Sequence, residues 1–172
     1  FPGHNNCPPE GNAKSEKKKE MNRQKNRPVD FKPNPKEVAV DDILKDGIDI
    51  NRFSSTDYIR VTGYARGLKP GGPESCNCNS ENDKDYDIHI YIVKTGTSEK
   101  KNCFIAEITP PFKAANSIDY KSLEGKRIRI TGYMFYDSEH KGNALNSCKK
   151  CGNVWRKTAW EVHPVCKLEV LN

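Results

Sequence analysis

Polar and apolar residues alternate along this chain in five separate runs. Tyr58 to Leu68 and Lys126 to Tyr136 each carry apolar residues at every second position around a central glycine, and Ile59-Arg-Val-Thr-Gly-Tyr64 returns almost unchanged as Ile128-Arg-Ile-Thr-Gly-Tyr133. A glycine inside such a run marks a bend, a bulge or a close backbone approach. In Asp85 to Val93, the residues Ile88, Ile90 and Ile92 share one face, and Asp87, His89 and Tyr91 the other. Cys103 to Thr109 turns Phe104, Ala106 and Ile108 inward, leaving Ile105, Glu107 and Thr109 outside. Trp160 to Leu171 points Trp160, Val162, Cys166, Leu168 and Val170 one way and Glu161, His163 and Lys167 the other.

Turn chemistry separates these runs. Lys69 to Lys84 is a long Pro/Gly/Asn loop, Lys94 to Asn102 a polar turn, and Asp137 to Asn153 a second polar loop, while Pro110-Pro111 stops the third run. Ser117 to Leu123 predicts a short helix before Gly125. Three strands, a helical connection and two strands predict a mainly β fold, a five-stranded OB-fold-like Greek-key barrel with a short helix between strands three and four. In that layout the first strand pairs with the fourth, and the third lies beside the fifth.

Ahead of the barrel, Phe1 to Asn12 reads as irregular chain that a disulfide at Cys7 would pin. Ala13 to Arg27 consists of good helix formers without an apolar stripe and ends before Pro28. Such a charge block is expected to be solvated, or to act as a basic arm that touches phosphate or an acidic surface. Pro28 to Pro35 is an extended linker, and Lys36 to Lys45 predicts a short helix stopped by Gly47. The division expected is an N-terminal extension over residues 1–50 and a barrel over residues 51–172.

Charge sharpens this picture less than its total suggests. The net charge is +6, but Lys14 to Arg27 holds seven Lys or Arg and two Glu, so +5 sits there and +1 on the rest. A basic groove on the barrel is therefore not expected from charge counting. No apolar run approaches the ~18 residues of a membrane helix. The first residue, Phe1, is what a mature exported chain or a trimmed one would show.

The seven cysteines read as disulfides of an oxidising compartment or as metal ligands of a reducing one. Export, to the periplasm or the extracellular space, is the favoured reading. Cys7, Cys76, Cys78, Cys103, Cys148, Cys151 and Cys166 are all disulfide candidates, and connectivity stays open. Cys103 and Cys166, on neighbouring strands, are one candidate pair. Cys76-Asn-Cys78 with Cys148-Lys-Lys-Cys151 partly matches a four-thiolate zinc site.

Cys7-Pro8, the Lys69-Pro-Gly-Gly-Pro-Glu-Ser-Cys-Asn-Cys78 loop, Asp87-Ile-His89 and the closing Trp155-Arg-Lys-Thr-Ala-Trp-Glu-Val-His-Pro-Val165 resemble a group of exported bacterial proteins of OB type. The resemblance covers most of the chain. It implies fold and export, not chemistry.

Candidate chemistry comes from folding the outward residues onto one sheet. Asp87, His89, Glu107, Thr109, Glu161 and His163 fall on adjacent outer faces, and Glu139 and His140 reach the rim from the loop after strand four. Three functions are weighed. The leading one is an exported binding module for a single-stranded oligonucleotide or an oligosaccharide, with Tyr91, His89, Glu107, Arg156 and His163 as contacts. The second is a phosphodiesterase or nuclease dependent on calcium, magnesium, manganese or zinc. It would use Asp87, His89, Glu107 and His163 in catalysis, with Asp87, His89, His140, Glu161 and His163 as ligand candidates. The third is a structural or partner-binding domain. Asp83, Asp85 and Asp87 do not make an EF-hand, because Ile88 and Lys94 replace its glycine and glutamate. No phosphate-cradling glycine loop or serine elbow occurs.

Overall fold

The computed structural model describes residues 6–172. Of the predicted irregular segment Phe1 to Asn12, residues 1–5 lie outside this range. The elements are α1 (Glu16–Lys25), β1 (Lys36–Glu37), α2 (Val40–Leu44), β2 (Tyr58–Pro70), β3 (Ile88–Val93), β4 (Phe104–Ile108), α3 (Pro110–Ala115), β5 (Arg127–Tyr136) and β6 (Trp160–Leu171). The five strands anticipated from alternation are β2 to β6.

These five close into a barrel of order β2-β3-β4-β6-β5, with β2 pairing back onto β5. The long β2 makes closure possible, since Tyr58 to Tyr64 pair with β5 while Tyr64 to Pro70 pair with β3. The twin motifs are therefore antiparallel neighbours, with Ile59 opposite Gly132 and Gly63 opposite Ile128. β4 runs parallel to β6. Their inner faces bury Ile59, Val61, Ile90, Ile92, Phe104, Ala106, Ile108, Ile128, Ile130 and Val162 in one cluster.

Both repeat glycines sit where backbone or side chain comes too close for a Cβ. One built on Gly132 would lie 2.3 Å from the Pro164 carbonyl oxygen, and one on Gly63 would lie 2.6 Å from Ile92 Cγ2. Opposite Gly132, β6 carries extra residues and its pairing register shifts. That shift resets the alternation. Val165 joins the core, and Cys166 instead sits on the outer side against the Pro28 carbonyl. The expected inward Cys166 is thereby corrected.

Other expectations change at the joints. Lys36 to Lys45 is no single helix, since Lys36–Glu37 adds a parallel strand to β2 and only Val40–Leu44 is helical. Pro110-Pro111 ends β4 but also starts α3, because proline is tolerated where the first helical N–H has no partner. The Ser117 to Leu123 helix shortens to a 3-10 turn, Tyr120–Leu123.

The largest difference lies at the N-terminus. Rather than standing in solvent, α1 buries Asn22 and Lys25 against the barrel and the β2–β3 loop. Asn22 Nδ2 donates to the Glu10 carbonyl at 2.8 Å and to Ser75 Oγ at 3.1 Å, and Asn26 Nδ2 donates to the Cys76 carbonyl at 2.9 Å. Cys7–Cys78 ties the stretch ahead of α1 to the same loop covalently. The docking surface is polar, so no apolar stripe was needed to announce it.

Candidate functional site

Beneath that cover, β3, β4 and β6 bring their outward residues together as the alternation requires. His89 pairs opposite Glu107 across β3 and β4, and the parallel β4–β6 register sets Ile105 by Glu161 and Ala106 by Val162, which carries Glu107 to His163. His163 is fully buried. Its Nδ1 lies 3.0 Å from Glu107 Oε2 and 3.8 Å from Glu161 Oε2, and its Nε2 lies 3.6 Å from Asp87 Oδ2. The other Glu107 oxygen is 3.4 Å from His89 Nε2. Neither His163 nitrogen makes an aligned hydrogen bond, so charge rather than direction holds this group.

The chain of contacts continues outward. Arg156 Nη1 donates to Glu161 Oε1, and its Nη2 donates to Asp137 Oδ2 at 2.8 Å. The same Asp137 oxygen is 2.7 Å from His140 Nδ1. Acidic and basic groups thus alternate through His89, Glu107, His163, Glu161, Arg156, Asp137 and His140. Both ends, His89 and His140, line a single open cleft of about 590 Å³, together with Lys18, Lys69 and Glu139.

Electrostatics divides the carboxylates into two kinds. Burial works against charge on Glu107, but His89, His163 and Lys25 hold it well below the usual range. Asp87 and Glu161 are each pushed up to about 7, by burial first and then by repulsion from Glu107. Burial would strip His163 of its proton, yet Glu107, Glu161 and Asp87 outweigh it and raise the ring to about 10. At the far end Asp137 is held well below the usual range despite burial, by its hydrogen bond to His140 and by Arg156. His140 is raised in return, first by that hydrogen bond.

Asp87, Glu107 and His163 offer donor atoms within 4.8 Å of one another, close enough for a metal ion. The fit is poor in charge. Both His163 nitrogens already face carboxylates, and a divalent ion would have to displace its proton. Lys25, 2.7 Å from Glu74, and Arg156 supply further cations from inside the protein. The cluster thus carries its own counter-charges. Of the expected ligands, His89, His140 and Glu161 lie outside that trio.

The thiols separate. Cys7 pairs with Cys78 and Cys148 with Cys151, while Cys76, Cys103 and Cys166 are free and buried. The four-thiolate set Cys76, Cys78, Cys148, Cys151 and the Cys103–Cys166 pair are not formed. Two disulfides indicate a non-cytoplasmic, oxidising environment. Among the described residues no helix is long and apolar enough to cross a membrane.

Of the expected ligand contacts, Tyr91, Glu107, Arg156 and His163 are buried, and only His89 reaches the cleft. Tyr91 packs against Trp155 with centroids 5.8 Å apart. The face of β3, β4 and β6 is an interior, because the extension and the Asp137–Trp160 loop cover it. Sequence reasoning missed Lys25, Glu74 and Asp137. For Asp137 the signal existed, since its three-residue spacing to His140 suits a turn in which the carboxylate meets the ring. No family model, curated protein or solved structure matches this chain.

Proposed function

We propose that the protein is an exported phosphodiester hydrolase whose chemistry takes place in the cleft between His89 and His140. One observation carries this reading: two imidazoles line the same cleft beside buried carboxylates, His140 hydrogen-bonded to Asp137 at 2.7 Å and His89 3.4 Å from Glu107 without an aligned hydrogen bond. At His140 the hydrogen bond fixes the ring and leaves the opposite nitrogen for substrate. With Nδ1 turned to Asp137, His140 presents Nε2, and the hydrogen bond to Asp137 raises its pKa above the usual histidine value, which favours the proton-donating form. His89, whose Nε2 lies 3.4 Å from Glu107 Oε1, is the second imidazole at the cleft and is assigned the base.

The step balances without a metal. His89 takes a proton from water as the oxygen attacks phosphorus, the P–O ester bond breaks, and His140 gives its proton to the departing alkoxide. In the cleft Lys18 is paired with Glu139 and Glu74 with Lys25, which leaves Lys69 to favour an anionic substrate. The two disulfides support export.

The test is cleavage of bis(4-nitrophenyl) phosphate and of a single-stranded oligonucleotide, with chelator present and absent. Turnover that survives chelation and drops by roughly 10²–10⁴ in His140→Ala is expected. Loss of turnover on chelation would return the assignment to the metal-dependent alternative. Binding without turnover would return it to the binding module.

A further inference from the structure

We propose that the outer face of β2, β5 and β6, on the side of the barrel formed by the twin Thr-Gly-Tyr motifs, is a binding surface for single-stranded nucleic acid. It is a different surface from the cleft and does not depend on the cleft's chemistry.

The register builds this face. With the apolar members of both motifs turned inward, the alternate positions turn outward, and antiparallel pairing sets Tyr58 beside Tyr133, Arg60 beside the fully buried Thr131, and Thr62 beside Arg129. On β6, Lys167 lies opposite Thr131. Arg127 and Arg129, two residues apart on one strand, are spaced about 6.7 Å along it. Neither makes an ion pair among the described residues, and Arg129 Nε lies 3.5 Å from Thr62 Oγ1. The carboxylates nearby are Glu37, 2.9 Å from Arg60, and Glu169, directly opposite Arg129 in the register and 3.2 Å from Lys167, with Asp30 on the linker. Cations outnumber them on this face even though the chain beyond Arg27 is almost neutral.

Aromatic rings complete it. Tyr58 and Tyr133 meet with centroids 4.9 Å apart, Arg27 and Lys32 lie 4.7 Å and 5.0 Å from the Tyr133 ring centre, and Lys167 lies 5.2 Å from that of Phe31. Phe31 is 46% exposed. Cations that track a phosphate backbone, beside aromatic rings on which bases stack, are the recurring means of holding a single strand without reading its sequence. A double helix is a poorer match, because its bases are already stacked and Phe31 would have nothing to cover.

The test is fluorescence anisotropy with a labelled oligo-dT of roughly 15 nucleotides, using the full chain with its disulfides intact. His140→Ala protein serves as the background so that cleavage cannot confound binding. Affinity should fall as salt rises, and Arg127→Ala with Arg129→Ala should flatten the salt slope by about 1 per lost phosphate contact. Phe31→Ala should weaken binding by roughly 5–100-fold at constant slope. Absence of binding at low salt, or binding unchanged in both variants, would overturn the proposal. Binding lost in Lys69→Ala and kept in the arginine pair would assign the strand to the cleft instead.

Discussion

His140 Nδ1 lies 2.7 Å from Asp137 Oδ2, and that oxygen also accepts from Arg156 at 2.8 Å. One buried carboxylate thus joins the surface imidazole to the interior. Asp137→Asn should lower the pKa of His140, because the neutral amide no longer stabilises its charge. NMR titration of the ring would show the shift, and the alkaline limb of any cleavage profile should move down with it. A His140 pKa unchanged in the variant would show that Asp137 does not hold its proton.

Arg156 is fully buried between Asp137 and Glu161. Arg156→Met leaves two carboxylates without their shared partner and should cost about 3–5 kcal/mol. Urea denaturation measures it. Arg156→Lys should recover only part, since one ammonium cannot span both acids as the fork does.

Stability should fall as pH rises from neutrality toward 10. His163 is raised from 6.5 to about 10 in the folded protein. The folded state therefore binds more protons than the unfolded state in this window, and stability decreases with pH. The contribution is complete below about 6.5 and lost on passing about 10. Denaturation midpoints across this range should decline in the wild type, and His163→Gln should flatten the curve even though it starts lower.

Cys7–Cys78 closes a separation of 71 residues. Cys7→Ser should cost about 4 kcal/mol on loop-closure grounds. Because α1 docks through polar contacts, its loss should also make amides of Asn22 to Asn26 exchange faster than those of the barrel. Thiol labelling of the unfolded, unreduced protein should find Cys76, Cys103 and Cys166 and no others.

Neither repeat glycine should tolerate alanine, Gly132 least. A Cβ there lies 2.3 Å from the Pro164 carbonyl oxygen, and Gly132→Ala should cost about 1–3 kcal/mol. At Gly63 it lies 2.6 Å from Ile92 Cγ2 and 3.0 Å from the Val93 carbonyl oxygen, and alanine should cost somewhat less. Thermal melts of the two variants would separate them.

Much of the site could be read from alternation. His89, Glu107, Glu161 and His163 converge because a two-residue period fixes which face each strand residue takes, and strand order then fixes the neighbours. Asp87 joins them although it precedes β3 by one residue. What alternation could not reveal was that this face is covered. Lys25 and Asn22 dock through hydrogen bonds and an ion pair to Glu74 and Ser75, partners remote in sequence that leave no hydrophobic period in α1.

By itself, then, the sequence determined the barrel, the pairing of its twin strands and the identity of the acids and imidazoles on one outer face, because period-two patterning is local. Only the tertiary structure decided that this face is an interior, that His89 and His140 share a cleft, and that Arg127 and Arg129 stand on a basic face of a nearly neutral barrel. Those relationships depend on which distant segments meet, and on charge sorted in space rather than summed along the chain.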